Sequence, residues 1–354
     1  MIPSWPKKLS IGLQESICNL SCSKCLVFGD EGYKPASGWE MPWGAVRNIL
    51  KEVEGRGVTL SPSFWSEPTV APLFDRFLCE AHERNIPIMV ATNGILIGRM
   101  RAQILATCAT AVNISIDAMT PGVLKKVRST TRLDQIKKTI FTLLELRAST
   151  PRITVSFSVE ADNHHEKDAF VREWLQHVDA VRVNNIYKPS HSLKASINSD
   201  DLPISQKRTP CRELYDQMIV DWNGDVRVCC IDGKRQTNLG NVFRDGVQGV
   251  WRGPALTALR EGHERGEYGE FCTPCTTWAT FNLNRQYNRG NLLVRRSQGT
   301  VFYNRKDRLY TWVEPLHRND YGLTSEGNTT VDVVETAMPQ ATPAFGLVGA
   351  GRAI

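Results

Sequence analysis

Three cysteine thiols near the N-terminus are the residues of this chain with the clearest chemistry. Cys18, Cys22 and Cys25 are separated by three and then two residues, in the run Cys-Asn-Leu-Ser-Cys-Ser-Lys-Cys. Three thiolates on one tight loop can hold three irons of a four-iron cluster, whereas a complete electron-transfer cluster has a fourth thiolate. Because the next cysteine is Cys79, the spacing predicts a cluster with one iron open to a small molecule.

A structural zinc site and disulfide bonds are the two alternative uses of this triplet. Structural zinc normally takes four ligands in closely spaced pairs, which the triplet does not supply locally. Disulfides belong to oxidising compartments, and the first residues lack the apolar segment of a signal peptide. We therefore favour the cluster and expect a cytoplasmic protein, because a reducing compartment protects an oxygen-sensitive cluster.

The composition restricts the partners of the protein. The chain has 354 residues and a net charge of +6, with lysine and arginine spread along it instead of gathered in one block. This distribution argues against a nucleic-acid partner. No apolar run approaches the roughly 18 residues needed to span a bilayer, so no membrane partner is expected. The length allows one large domain and a smaller one.

Short apolar or β-branched segments alternate with amphipathic helical segments from residue 8 to about residue 190. This alternation predicts a parallel sheet with helical crossovers, and six such units fit an open barrel. The cysteine triplet follows the first strand, at the end where barrels of this kind carry their chemistry. Helical patterns lie near residues 42–55, 70–84, 99–108, 132–149 and 166–177. The strand candidates are Leu9–Leu13, Val58–Ser61, Pro87–Ala91, Ala111–Ile116, Ile153–Val159 and Ala180–Ile186.

The triplet and the strand-end segments resemble the radical S-adenosylmethionine (SAM) superfamily. The resemblance implies a partial (β/α)6 TIM-like barrel and a 4Fe–4S cluster whose open iron is chelated by the amino and carboxylate groups of SAM. It also implies a reductant such as flavodoxin or ferredoxin. In this chemistry an electron from the cluster cleaves SAM, and the resulting 5′-deoxyadenosyl radical takes a hydrogen atom from a substrate.

The same resemblance implies SAM-binding roles for residues at the strand ends. Ser66 and Glu67 match a Gly-Gly-Glu-Pro-like turn that binds the methionyl amine, although Ser66 replaces a glycine. Ser115 and Arg128 match residues that contact the ribose and the carboxylate, and the planar fork of arginine suits a carboxylate. A solvated helix end is the alternative for Arg128. Lys24 replaces an aromatic residue near adenine, so only its backbone is expected to bind.

A second group of cysteines follows a change of pattern near residue 200. The group consists of Cys211, Cys229, Cys272 and Cys275. An Asn-Gly pair between two β-rich segments, after Cys211 and before Cys229, predicts a hairpin. A helix is expected around Val247–His263, before the last two cysteines. The order resembles the SPASM/twitch auxiliary-cluster domain in its shorter form. Four thiolates would hold one auxiliary 4Fe–4S cluster and close its coordination, which suits electron transfer. A zinc ribbon is the alternative.

These patterns divide the chain into three expected regions. Residues 1–200 are the barrel, residues 201–285 are a small twitch domain of a β-hairpin plus helix, and residues 286–354 are a C-terminal extension. The extension has strand-like character at Thr300–Tyr303. From Pro339 it is rich in Ala, Gly and Pro, and we expect it to be partly disordered.

Three cysteines belong to neither group. Cys79 and Cys108 lie in helical segments and are most simply small buried apolar residues. Cys230 adjoins the expected ligand Cys229, and on a strand the two side chains would point in opposite directions. Cys230 is then either inert or a hydrogen-atom donor beside the substrate.

The barrel and its auxiliary cysteines are similar to radical SAM dehydrogenases and epimerases of aminoglycosides and aminocyclitols. The resemblance implies a small sugar-like substrate from antibiotic biosynthesis, which loses hydrogen from a carbinol carbon. Dehydrogenation would pass an electron to the auxiliary cluster, and epimerisation would return a hydrogen atom from a thiol; we favour epimerisation if Cys230 faces the substrate.

Two alternatives to this small-molecule reaction stay open. One is the maturation of a ribosomally made peptide, which we expect less because the barrel begins near residue 8 and leaves little room for a peptide-recognition domain. The other is a non-catalytic iron–sulfur or zinc scaffold, which Glu67 and the open-site triplet disfavour.

Overall fold

The structure, a computed structural model, describes residues 3–15, 17–29, 32, 38–185, 208–275, 278, 283–297 and 299–311. Its strands are β1 (Lys8–Ile11), β2 (Thr59–Ser61), β3 (Met89–Thr92), β4 (Ala111–Ser115), β5 (Arg152–Val159), β6 (Ala180–Asn185), β7 (Gln217–Val220), β8 (Val226–Arg227), β9 (Leu283–Arg289), β10 (Leu292–Ser297) and β11 (Thr300–Arg305). Its helices are α1 (Trp43–Val53), α2 (Phe74–Glu83), α3 (Arg99–Cys108), α4 (Pro121–Arg128), α5 (Leu133–Leu146), α6 (Lys167–Trp174), α7 (Glu213–Asp216), α8 (Val242–Trp251), α9 (Pro254–Arg265) and α10 (Gly269–Cys272).

Six parallel strands form the wall of a partial barrel. β1 pairs with β2, and β3 to β6 pair in chain order. A parallel bridge between Leu60 and Ile88 joins the two groups. Helices connect the strands as the alternating pattern predicted, so the α/β class and the (β/α)6 partial barrel are confirmed.

One helix of the barrel was not predicted. Helix α4 begins after Thr120, whose side chain accepts a hydrogen bond from the backbone N–H of Val123, and Pro121 occupies its first turn. The Pro-Gly pair at residues 121 and 122 indicates a turn when the sequence is taken alone. Proline nevertheless suits the first helical position, where its missing N–H costs nothing.

The single helix expected around Val247–His263 is two helices in the structure. Helix α8 ends at Trp251, and Pro254 begins α9 after Gly253. Proline cannot continue a helix without losing a hydrogen bond, whereas it can begin one. Among the described residues, none of the helices is long and apolar enough to cross a membrane.

The barrel interior is polar because the strands alternate. On β4, Val112 and Ile114 pack in the apolar core, so Asn113 and Ser115 face the other way, into the barrel. Hydrogen bonds join these inward groups, since Asn113 Nδ2 donates to Ser156 Oγ at 3.3 Å and Ser156 Oγ donates to Ser115 Oγ at 3.2 Å. By the same alternation the inward polar side chains include Lys8, Ser10, Thr59, Ser61, Asn113, Ser115, Thr154, Ser156, Ser158, Arg182 and Asn184.

The predicted hairpin extends the barrel sheet beyond β1. Strands β7 and β8 are antiparallel and are joined through Asn223 and Gly224, and Gly224 has the positive φ of 86° that such a turn requires. β7 also pairs in parallel with β1, from Lys8 opposite Gln217 to Ile11 opposite Val220. The auxiliary domain is therefore hydrogen-bonded directly to the barrel.

Three antiparallel strands extend the other end of the sheet. β9, β10 and β11 form a meander, and β11 lies antiparallel to β6. The expected boundary at residue 285 falls inside β9, and the strand-like segment Thr300–Tyr303 lies in β11. The segment from Pro339 lies outside the described residues.

Glu52 connects the barrel to the auxiliary domain. It lies on α1 and its carboxylate accepts the backbone N–H of Val247 at 2.8 Å and of Gln248 at 3.0 Å. Those N–H groups follow Gly246, where the helix path breaks at φ 72° and restarts. A restarted helix has unpaired N–H groups and a positive dipole end, and a carboxylate satisfies both.

We expect Glu52→Ala to lower the free energy of unfolding by about 1–2 kcal/mol, the usual value of a lost helix cap. Glu54→Ala is the matched control on the same helix end. Its carboxylate makes an exposed ion pair with Arg84 at 2.9 Å, and such pairs contribute about 0–1 kcal/mol. Denaturant unfolding of the anaerobic protein measures both, and equal losses in the two variants would contradict the capping role.

Candidate active site

The cysteine loop leaves β1 and presents three thiols supported by backbone N–H groups. Leu20 N donates to Cys18 Sγ at 3.4 Å, and Phe28 N donates to Cys25 Sγ at 3.3 Å. Burial raises the pKa of the Cys18 thiol to about 12, and burial also raises the pKa of Cys22. Without metal these groups are thiols, so metal binding must displace their protons. N–H donors aimed at sulfur fit thiolate ligands of an iron–sulfur cluster.

A tight turn brings the thiols together. Cys25 N donates to Cys22 O, and Gly29 N donates to Cys25 O, each at 2.9 Å. A Cβ atom at position 29 would lie 2.5 Å from Cys25 O and 2.7 Å from Ser23 O, so only glycine fits there. The loop curls on itself closely enough that a larger residue would open it.

A buried carboxylate, Asp117, anchors this loop to the barrel. Its Oδ2 binds Lys24 Nζ at 2.5 Å and Arg128 Nη2 at 2.7 Å, while Oδ1 accepts Ser158 N at 2.6 Å. Burial alone would raise the pKa of Asp117, but the charges of Arg128 and Lys24 outweigh it and lower the pKa below its usual value. Lys24 also binds Glu160 at 2.7 Å.

These contacts show how the side chains of Lys24 and Arg128 are held. The side chain of Lys24 is held by two carboxylates, and the adenine contact of its backbone stays a prediction. Arg128 ends α4 and is only 9% exposed, so the alternative of a solvated helix end is wrong. Its charge lowers the pKa of Cys22, against the larger effect of burial, which places the guanidinium beside the thiols. The role of Arg128 toward the SAM carboxylate stays a prediction.

Glu67 is buried where the second and third strands end. Its Oε1 accepts Thr69 Oγ1 at 2.7 Å and Thr92 Oγ1 at 2.6 Å, whereas Oε2 accepts Asn93 N at 2.7 Å. Burial raises the pKa of Glu67, although these hydrogen bonds oppose the shift. Its charge also acts on the Cys18 thiol, so the two groups are neighbours. Oε2 accepts a single protein donor and retains capacity for an amine, which fits the predicted SAM contact.

Ser66 and Ser115 lie at the ends of different strands. Ser66 is half-buried and follows Trp65, which has a positive φ of 49°. Ser115 is the last residue of β4 and accepts the hydroxyl of Ser156. Both positions border the end of the barrel that carries the cysteine loop, and their SAM contacts stay predictions.

The second group of cysteines also comes together. Burial raises the pKa of Cys211, and the nearby charges of Cys275 and Cys272 add to that shift. Burial likewise raises the pKa of Cys229, on which Cys211 acts, and Ile231 N donates to Cys229 Sγ at 3.4 Å. Four thiols from three chain segments therefore share one region.

The donor set of the auxiliary site is chemically uniform. It consists of four cysteine thiols, and a backbone N–H group donates to one of them, Cys229. Four thiolates with such support fit a four-iron cluster.

Two residues that the sequence did not single out support the auxiliary cysteines. His263 Nδ1 accepts Cys211 N at 3.2 Å, and burial lowers the pKa of His263 to about 4, which keeps it neutral. Arg208 donates to Cys272 O at 2.7 Å and stacks over Tyr268 at 3.7 Å. No local spacing marks either residue, because each acts on a cysteine more than 50 positions away. Asp117 and Glu160 were missed for the same reason.

Cys230 adjoins the auxiliary cysteine Cys229 and is influenced by the same acidic residue, Glu213. Because β8 ends at Arg227, strand alternation does not orient Cys230, and that part of the sequence argument is wrong. Burial and the charge of Glu213 raise the pKa of Cys230 to about 12, while Lys8 and Arg182 oppose the shift. The role of Cys230 as a hydrogen-atom donor beside the substrate stays a prediction.

Two family models match separate parts of the chain. Residues 16–169 match the radical SAM superfamily, and residues 211–276 match the SPASM iron-sulfur cluster-binding domain. The matched segments contain the cysteine triplet and the four auxiliary cysteines, respectively.

Solved structures share the fold at low sequence identity. Streptococcus suis SuiB bound to precursor peptide SuiA is 19% identical with a TM-score of 0.60, over 73% of this chain and 67% of SuiB. Native anSMEcpe with bound AdoMet is 15% identical with a TM-score of 0.55, over 77% of this chain and 90% of its own. BtrN in complex with AdoMet and 2-DOIA is 15% identical with a TM-score of 0.49, over 76% of this chain and 92% of BtrN.

The barrel, the cysteine loop and the auxiliary cysteines agree with both family matches. A radical SAM domain binds a 4Fe–4S cluster and SAM, and a SPASM domain binds an auxiliary cluster. The chain belongs to the radical SAM superfamily and carries a SPASM-type auxiliary iron–sulfur domain.

Proposed function

We propose that this radical SAM enzyme removes a hydrogen atom from a carbinol C–H of a small sugar- or aminocyclitol-type intermediate in antibiotic biosynthesis, and that the carbon is then inverted. The Cys230 thiol carries the proposal. It adjoins the expected cluster ligand Cys229 in sequence without being one of the four auxiliary cysteines. The barrel interior is lined with hydroxyl and amide groups. A hydroxylated substrate matches that lining.

The residues around the cysteine loop have separate tasks in this proposal. Cys18, Cys22 and Cys25 would hold the first cluster, and bound SAM supplies the 5′-deoxyadenosyl group that abstracts hydrogen. Asp117 fixes the loop through Lys24. Arg128 and the free capacity of Glu67 Oε2 would orient the carboxylate and the amine of SAM. Cys211, Cys229, Cys272 and Cys275 would hold the auxiliary cluster.

Hydrogen-atom donation needs the protonated form of the Cys230 thiol. Burial raises the pKa of this thiol, a direction that favours the S–H form. Donation breaks the S–H bond, forms a C–H bond on the opposite face of the carbon and leaves a sulfur radical. One electron and one proton restore the thiol, and we expect a protein reductant such as flavodoxin or ferredoxin to be the source.

Dehydrogenation begins with the same abstraction and ends differently. A base then removes the hydroxyl proton, and the electron leaves the carbon. The four-thiolate auxiliary site favours this outcome, because closed coordination suits electron transfer. The Cys230 thiol favours inversion of the carbon. The identity of the product therefore shows whether the reaction is dehydrogenation or epimerisation.

Peptide maturation is the second candidate function. It is supported by the similarity to SuiB, which was solved with its precursor peptide bound. An identity of 19% shows the shared fold alone, so this observation favours a peptide less than the polar interior favours a small hydroxylated molecule. A non-catalytic scaffold would release no 5′-deoxyadenosine.

Loss of one cysteine from each group should remove a different cluster. We expect Cys22→Ala to abolish SAM cleavage, and Cys211→Ala to lose about four of about eight irons per chain while the first cluster stays intact. Cys79→Ala is the matched control because Cys79 lies on α2, among the helices. Iron analysis and 5′-deoxyadenosine release measure both effects. Sustained turnover by Cys22→Ala, or full iron in Cys211→Ala, would refute the respective assignment.

Deuterium incorporation from deuterated water should reveal whether the substrate radical receives a hydrogen atom from an exchangeable thiol. The anaerobically reconstituted enzyme is given SAM, dithionite and a panel of aminoglycoside intermediates. We expect deuterium to enter one carbon of the product, because the S–H of Cys230 exchanges with solvent. Cys230→Ala should still release 5′-deoxyadenosine but form no inverted product, whereas Cys108→Ala should behave as the parent.

Other outcomes of this experiment assign other reactions. A product lighter by one hydrogen pair indicates dehydrogenation. A normal yield of the epimer from Cys230→Ala removes Cys230 as the donor. If no sugar stimulates 5′-deoxyadenosine release, the small-molecule proposal fails and a peptide substrate becomes the better hypothesis.

A further inference from the structure

Trp65 has a backbone conformation that is unusual for a bulky residue. Its φ is 49°, in the left-handed region that glycine occupies freely and that an L side chain enters at a cost of about 1–2 kcal/mol. The residue opens the turn at residues 65–68, directly before Ser66 and Glu67, the two residues of this turn that are expected to bind SAM. Strained residues beside a candidate site often have a function there that offsets the strain.

The polar end of the Trp65 indole is buried without a hydrogen bond. In the described part of the chain, no acceptor lies within reach of its Nε1–H. A buried donor that is left unpaired costs about 1–3 kcal/mol. Two unfavourable features are therefore combined in one residue, and the packing around the ring must offset both of them.

Two other segments of the chain close on the Trp65 ring. Gly233, in the loop after Cys229, is so near that a Cβ atom there would lie 3.1 Å from both Cε2 and Cζ2 of the indole. The same Cβ atom would lie 3.2 Å from the Cβ atom of Leu26 in the cysteine loop. Phe64 packs edge-on against the indole, with ring centroids 6.0 Å apart. The auxiliary domain, the cysteine loop and the 65–68 turn therefore meet at this ring.

Hydrogen bonds fix the loop that carries Gly233. The buried carboxylate of Asp232 accepts Gln236 N at 2.7 Å, Thr237 N at 2.9 Å and Thr237 Oγ1 at 2.6 Å. Gly233 N also donates to Ile231 O at 2.8 Å. Because its conformation is held from within, this loop presents Gly233 to the indole in one position.

A change at Trp65 acts first on the two residues that follow it. The side chain of Glu67 is anchored by Thr92 Oγ1 and Asn93 N. Its backbone N–H donates to Ile17 O at 2.8 Å, at the start of the cysteine loop. A relaxed φ at Trp65 would therefore shift Ser66 and this backbone contact, while the carboxylate of Glu67 stayed anchored.

We infer that Gly233 of the auxiliary domain holds Trp65 in its left-handed conformation, and that Trp65 thereby positions the 65–68 turn for SAM. Trp65 is a positioning residue in this inference. A side chain in place of Gly233 would displace the indole, and the backbone would relax towards an ordinary φ. The inference rests on the role of Glu67 towards SAM in the proposed function, and it makes the affinity for SAM depend on the auxiliary domain.

Calorimetric binding of SAM to the anaerobically reconstituted holoenzyme tests this inference. Gly233→Val should raise the Kd of SAM about tenfold, an affinity difference of about 1.4 kcal/mol, because its side chain displaces the indole. Gly233→Ala should have a smaller effect, since the ring needs to give way by only a few tenths of an ångström. Iron content shows that each variant is folded and loaded.

Gly249→Val is the matched control in the same domain. Gly249 lies on the exposed side of α8, and the nearest atom to an added Cβ would be the Cβ atom of Asp245 at 3.7 Å. This variant should bind SAM as the parent does. In Gly233→Val, release of 5′-deoxyadenosine with dithionite should show a raised KM for SAM and a kcat near that of the parent. A lower kcat with an unchanged KM would overturn the positioning role.

The Trp65→Gly background tests whether the indole transmits the effect. Glycine accepts a φ of 49° without strain and has no ring, so Gly233→Val should cause no further loss of SAM affinity in this background. Losses that add in the double variant would overturn the inference, because Gly233 would then act by another route.

Glu67→Gln separates this inference from the proposed function. Weaker SAM binding in Glu67→Gln, with parent-like binding in Gly233→Val, would keep the SAM assignment and overturn the role of Trp65. The reverse result would overturn the route through the 65–68 turn. Weaker binding in both variants, without sugar-stimulated release of 5′-deoxyadenosine, would keep the positioning role and reject the carbinol reaction.

Discussion

The buried carboxylate of Asp117 is the interaction on which the arrangement of the cysteine loop depends. Its positive φ of 64° turns the chain sharply after β4 and aims one oxygen at both Lys24 and Arg128. The other oxygen is held by the backbone of Ser158, beyond the middle of β5. A buried charge is tolerated only when it is paired and hydrogen-bonded, so the cysteine loop, α4 and β5 must all be in place together.

Local patterns predicted the strands of the barrel because each pattern depends on neighbouring residues. Alternating and apolar runs located β1 to β6, and the Asn-Gly pair at 223 and 224 located the hairpin. Long-range pairings were not predictable in this way. Lys24 meets carboxylates that lie 93 and 136 positions away, and β11 joins β6 across a segment with no sequence signal for that partner.

Apolar side chains pack on the outer face of the barrel strands, whereas polar side chains line the inner face. The core lies between the strands and the surrounding helices, so the inward positions contribute little apolar burial and are free to be polar. Asn113, Ser115 and Ser156 show the result, a row of hydrogen-bonding groups across two neighbouring strands. Such an interior can differ between enzymes without loss of the fold, which agrees with shared architecture at an identity below 20%.

Strand β1 has β2 on one side and β7 on the other, so its second edge is covered by residues from Gln217 onward. A ribosome makes about 5–20 residues per second, so roughly 10–40 s pass between the synthesis of β1 and the synthesis of β7. During this interval its backbone is an open edge on which another chain can pair. A nascent chain interrupted between the barrel and the auxiliary domain would keep that edge, which makes premature termination at this point a source of aggregation.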